Sequence, residues 1–94
     1  MARIVWSSVA RDDLKALVVF IKADSPGYAH TFGLHIQHRV EQLRQFPESG
    51  RSVPEDKRGI YRELIVGSYR VVYRVDGDTV TIVTLIHGAR LLQL

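Results

Sequence analysis

Tyr61-Arg62-Glu63-Leu64-Ile65-Val66-Gly67-Ser68-Tyr69-Arg70-Val71-Val72-Tyr73-Arg74-Val75-Asp76-Gly77-Asp78-Thr79-Val80-Thr81-Ile82-Val83-Thr84-Leu85-Ile86-His87 is dominated by β-branched and aromatic residues. Gly67-Ser68 and Asp76-Gly77 punctuate it, so it reads as three consecutive antiparallel strands joined by tight turns. Asp-Gly supplies the positive φ angles of a two-residue hairpin loop. With Asp76-Gly77 as that loop, Val75 is expected opposite Asp78, Arg74 opposite Thr79, Val72 opposite Thr81 and Arg70 opposite Val83.

Side chains alternate along a strand and paired residues share a face, so this register sorts the sheet. One face carries Tyr69, Val71, Tyr73, Val75, Val80, Ile82, Thr84 and Ile86 and reads as core. The other carries Arg70, Val72, Arg74, Thr79, Thr81, Val83, Leu85 and His87. Two arginines and a histidine make this mixed face the expected seat of binding or chemistry.

Upstream of the meander, Phe46 to Gly59 holds two prolines, two glycines and many polar residues, and reads as a loop. Before it lie two amphipathic patterns. Ser7 is a helix N-cap signal, with Asp12 and Asp13 in the next turn. Val9, Leu14, Leu17, Val18 and Ile21 recur at helical spacing to about Asp24. Ser25-Pro26 restarts the pattern, and Ala29, Phe32, Ile36, Val40 and Leu43 mark a second apolar face ending before Pro47.

So short a break implies an antiparallel helical hairpin, with Ala29 and Gly33 allowing close approach. Arg3-Ile4-Val5-Trp6 reads as a first strand joining the sheet. His87 to Leu94 ends largely apolar and reads as a docked tail. The expected architecture is α+β: an N-terminal strand, an antiparallel helical hairpin and a three-stranded antiparallel meander, in one domain spanning residues 1–94.

With 94 residues and 46% hydrophobic composition, the chain can bury one small core. It has no cysteine, hence no disulfide framework and no thiolate chemistry. No apolar run approaches the roughly 18 residues of a membrane span, and the N-terminus lacks a secretory pattern, so a cytoplasmic protein without membrane contact is expected. The net charge is a mild +3. Between Lys57 and Arg74 the basic residues Lys57, Arg58, Arg62, Arg70 and Arg74 meet one acid, Glu63. That local bias suits an anionic partner, though a solvated basic edge explains it equally well.

Arg70, Arg74, His87 and Arg90 form the strongest constellation. Arginine forks grip phosphate or carboxylate, and a histidine can move protons near neutral pH. Phosphodiester cleavage also needs a second proton-transfer group, and nothing obvious supplies it. The competing reading pairs Arg70 and Arg74 with Glu63 as surface ion pairs. Tyr61, Tyr69 and Tyr73 could stack on bases, but Tyr69 and Tyr73 fall on the core face. His30, His35 and His38 lack a fourth ligand type in helical register, so no metal site and no cofactor are expected.

The order of elements, with Ala10, Asp13-Leu14, Phe20-Ile21, Ala29, Phe32, Ile36, Leu43, Phe46-Pro47 and Gly50-Arg51, resembles the RelE/ParE superfamily of bacterial type II toxins. Arg62-Glu63-Leu64, Gly67 to Tyr73 and Ile86-His87-Gly88-Ala89-Arg90 resemble its sheet signatures. RelE-type members cut messenger RNA on the ribosome. By motif, two of their catalytic arginines would fall on Arg70 and Arg90, with His87 as a possible third group. Tyr61, Arg62 and Glu63 occupy the region where such enzymes carry lysines, Lys57 is the nearest lysine, and no tyrosine follows Arg90. An arginine is a poor general base because it stays protonated.

The Arg-Glu-Leu strand, the Tyr-Arg-Val-Val-Tyr centre and the His-Gly-X-Arg end look closer to ParE-type members, which poison DNA gyrase by stabilising its cleaved-DNA intermediate. The resemblance therefore implies a gyrase-contacting surface of Lys57, Arg58, Arg62, Arg70, Arg74, His87 and Arg90, with Arg70 and Arg90 exposed. The alternatives are a ribosome-dependent RNA endonuclease and a non-toxic antitoxin-binding module. Each implies a cognate antitoxin, for which Val19 and Leu34, off the main helix stripes, are the expected contacts.

Overall fold

The computed structural model describes residues 1–93. The elements run β1 (Arg3–Trp6), α1 (Ser8–Asp24), α2 (Pro26–Glu41), a 3-10 turn (Gln42–Arg44), β2 (Arg51–Ser52), β3 (Tyr61–Val66), β4 (Tyr69–Asp76) and β5 (Thr79–His87). One five-stranded sheet has the order β1-β5-β4-β3-β2, with β1 parallel to β5 and the other neighbours antiparallel. The expected meander is β3 to β5. β2 is a short edge strand hidden in what the composition marks as loop, where Arg51 pairs with Glu63 and Ser52 with Arg62.

Ser7 caps α1 as expected: the Ala10 N–H donates to its Oγ at 3.0 Å, while its hydroxyl donates to the Val83 carbonyl at 2.9 Å. Asp13 does not serve the helix start. It accepts from the Thr84 hydroxyl at 2.5 Å and the Leu85 N–H at 3.1 Å, tying α1 to β5. Val9 leaves the expected stripe and is 56% exposed, whereas Leu14, Leu17, Val18 and Ile21 pack on the core. From α2, Phe32, Ile36 and Val40 are buried against Leu64, Val66, Val71, Tyr73, Val80, Ile82 and Leu85 of the sheet. Gly33 is not what brings the helices together: a Cβ there would meet only Val18 Cγ2, at an ordinary 3.8 Å.

Two corrections concern register. The β4–β5 loop is Gly77-Asp78, closed by Asp76 opposite Thr79, with Gly77 at φ 56° and, among the described residues, no non-glycine at positive φ. That is the type II′ arrangement, with glycine at the first central position. Moving the turn by one residue shifts the pairing by two, so Tyr73, Val75, Val80 and Ile82 keep their expected face.

The second offset is a bulge. Tyr73 pairs with Ile82 but Val72 with Thr84, leaving Val83 as the extra residue. Beyond it the faces exchange. Leu85 and His87 join Val71 and Tyr69 toward the helices, and Thr84 and Ile86 move to the face with Val72 and Arg70. The Gly67-Ser68 loop falls where expected, between Val66 and Tyr69.

Candidate functional site

Strand alternation puts Glu63 and Arg70 on the face away from the helices, yet both are buried, at 1% and 4% exposure. The Arg70 guanidinium is spent internally. Its Nε donates to Glu63 Oε1 at 2.7 Å, and Nη1 and Nη2 grip the two oxygens of Glu55 at 2.8 and 2.7 Å. Nη1 also donates to the Arg90 carbonyl at 3.0 Å. The other Glu63 oxygen accepts from Arg51 Nε at 2.6 Å. Such a fork is the strong form of charge-assisted hydrogen bond.

The bond from Arg70, reinforced by the Leu92 N–H at 2.8 Å, holds the Glu55 carboxyl down at about 2. The Arg70 pKa is pushed up chiefly by Glu55, against the opposing effect of burial. Arg70 is therefore not the exposed contact that the sequence implied.

The other basic candidates are scattered. Arg74 pairs at the surface with Asp76 at 3.2 Å. Arg62 donates to the Gly50 carbonyl at 2.9 Å and to that of Glu48 at 3.3 Å, closing the loop before β3. Arg58 lies 3.8 Å from Asp56, and Lys57 is exposed. Asp56 accepts from the N–H groups of Tyr61, Ile60 and Arg58, at 2.7, 2.6 and 3.1 Å, which lower its pKa and shape the entry to β3.

His87 and Arg90 are both exposed and stand together at the end of β5. They share an open hollow with Asp13, Leu17, Phe20 and Tyr69. The His87 ring meets Tyr69 edge-on at 5.5 Å, and Tyr69 meets Phe32 at 5.2 Å, so the imidazole is seated on the helix-facing aromatics. Its Nδ1 accepts from the Ala89 N–H at 3.1 Å.

The tail is docked, by backbone rather than by apolar side chains. Gly88 N–H donates to the Ser68 carbonyl at 2.7 Å, Arg90 C=O accepts from Arg70, and Leu92 N–H donates to Glu55. Leu91 is exposed, and Leu94 lies outside the described residues. Tyr73 is fully buried; its hydroxyl accepts from the Gly50 N–H at 2.8 Å, and burial raises its pKa. Val19 and Leu34 are exposed, as are His30, His35 and His38. Among the described residues no three His, Cys, Asp or Glu side chains could share a metal ion, and no helix is long and apolar enough to cross a membrane.

Glu55, Asp56 and Asp13 organise this region and were absent from the sequence-based set. One signal pointed to the first: a strand arginine with five donors faces only one carboxylate, Glu63, in its own sheet.

A sequence model of the family described as ParE toxin of type II toxin–antitoxin system, parDE, matches residues 4–92. The toxin RelE2 of Caulobacter vibrioides is 33% identical over 91 residues, covering 97% of this chain and 100% of that protein. The chromosomal ParDE toxin–antitoxin system of P. aeruginosa contains a chain of similar fold, with a TM-score of 0.78 at 23% identity over 93% of this chain and 96% of that one. The toxin–antitoxin complex RelBE2 of Mycobacterium tuberculosis gives 0.65 at 21% identity over 92% and 96%.

Proposed function

The chain belongs to the ParE toxin family of type II toxin–antitoxin systems, and on that footing we propose that it is a cytoplasmic toxin that poisons DNA gyrase by stabilising the cleaved-DNA intermediate. A cognate antitoxin neutralises it. The observation that carries this reading is the state of Arg70. Four of its five N–H donors bond to Glu63, Glu55 and the Arg90 carbonyl while the side chain is buried, so it cannot meet a phosphate without giving up its ion pairs to two carboxylates.

RNA cleavage would then have to rest on His87 and on Arg90, a residue type that makes a poor general base. A base and an acid are both needed for that step. A gyrase poison needs a contact surface instead. Arg90 and His87 form its centre beside the exposed Phe20; Lys57 and Arg58, in the loop before β3, and Arg74, on the other sheet face, are solvent-facing. Val19 and Leu34, exposed on the two helices, remain the proposed antitoxin contacts.

The test incubates purified, antitoxin-free protein with DNA gyrase, ATP and supercoiled plasmid, followed by denaturation. Linear DNA that scales with the protein is expected. No linear DNA, together with ribosome-dependent cleavage of messenger RNA by the same folded sample, would replace this reading with the endonuclease one.

A further inference from the structure

The segment 88–93 leaves β5 and crosses the end of the sheet with little apolar anchorage. Leu91 is 83% exposed, and Leu92 only partly covers a shallow hollow lined by Tyr61, Val72, Val83 and Thr84. Its backbone is fastened at Ser68, at Arg70 and at Glu55, and the last two fastenings belong to one bidentate pair. Both oxygens of Glu55 are engaged: Oε1 accepts from Arg70 Nη2, and Oε2 from Arg70 Nη1 and the Leu92 N–H. The residue so held, Arg90, is exposed and lines the hollow that it shares with His87 and Phe20.

We propose that Glu55 and Arg70 are positioning residues for target binding: their ion pair clamps the backbone of residues 90–92 and so presets the Arg90 side chain in the His87–Phe20 hollow. The physical gain is preorganisation. A free tail would lose its conformational freedom on meeting the target, whereas a clamped one has lost it already. The inference rests on the assignment of Arg90 as a target contact.

Glu55 tests it better than Arg70, because Glu55 lies in a loop and its loss leaves Arg70 paired with Glu63. In the full-length chain, Glu55→Ala should speed hydrogen exchange at the Leu92 amide by about tenfold while the Val71 and Ile82 amides keep their protection. It should raise the protein concentration for half-maximal linear DNA in the gyrase assay by about fivefold. In an Arg90→Ala background the same substitution should shift that concentration by less than about twofold, because Glu55 acts through Arg90. Should Glu55→Ala fold poorly, Glu55→Met, which keeps the chain length but has no oxygen to accept from Arg70 or the Leu92 N–H, serves in its place.

Unchanged exchange at Leu92 in the folded variant would overturn the clamp. Fully additive losses with Arg90→Ala would overturn the positioning role. A wild-type protein that leaves gyrase untouched overturns the target assignment and the positioning role with it, while the exchange result still decides the clamp.

Discussion

Arg70 donates to Glu63, to Glu55 and to the Arg90 carbonyl at once. Removing it leaves the buried Glu63 with one oxygen unpartnered and only the exposed Arg51 on the other, so Arg70→Ala should cost about 3 kcal/mol of stability, read as a lower denaturant midpoint at unchanged slope. A loss of toxicity in that variant would combine this folding defect with release of the tail that Arg70 helps to hold. Glu55 adds a pH dependence. Its folded pKa is depressed to about 2 from an ordinary value of 4.5. The stability it contributes is therefore fully present above pH 4.5 and is lost as the pH falls toward 2. The difference in thermal midpoint between wild type and Glu55→Gln should shrink across that interval.

Gly50 is fixed by close approach, since a Cβ there would lie 2.6 Å from Tyr73 Oη and 2.7 Å from the Glu63 carbonyl. Gly50→Ala should destabilise by about 2 kcal/mol, read by thermal unfolding. Arginine chemistry was legible from the sequence at this scale. Which arginine would be buried was not, because the partner that neutralises Arg70 sits 15 residues away in an irregular loop.

The elements were easier to read than their offsets. The β1–hairpin–meander order follows from two hydrophobic periods, the Ser7 cap, the Ser25-Pro26 break and the two glycine turns. The bulge at Val83 was not legible, since an extra valine in a run of β-branched residues leaves no trace in the alternation. Its consequence is functional: it turns His87 onto the helix side, against Tyr69, instead of beside Arg70. The bulge is also a fastening point, because Ser7 at the head of α1 donates to the Val83 carbonyl. Ser7→Ala removes that bond together with the cap from the Ala10 N–H, and should cost about 1–2 kcal/mol in denaturant unfolding. A loss no larger than that of an exposed surface serine would show that neither bond contributes.

For the whole molecule, the layering leaves two distinct surfaces. The helical hairpin covers one sheet face, with Val19 and Leu34 outward. At the far end of β5 the clamped tail presents Arg90 and His87. A toxin that binds without catalysis needs no more than the second surface, and an antitoxin that masks either one could silence it. Arg90→Ala probes this division most directly, because the Arg90 side chain is exposed and only its backbone is fastened. The measurement is the yield of linear plasmid from DNA gyrase with wild type and with Arg90→Ala, each at matched thermal midpoint. The account predicts linear DNA that rises with wild-type protein and falls by at least about tenfold in the variant, with folding unchanged. A folded Arg90→Ala protein that traps as much linear DNA as wild type would contradict it.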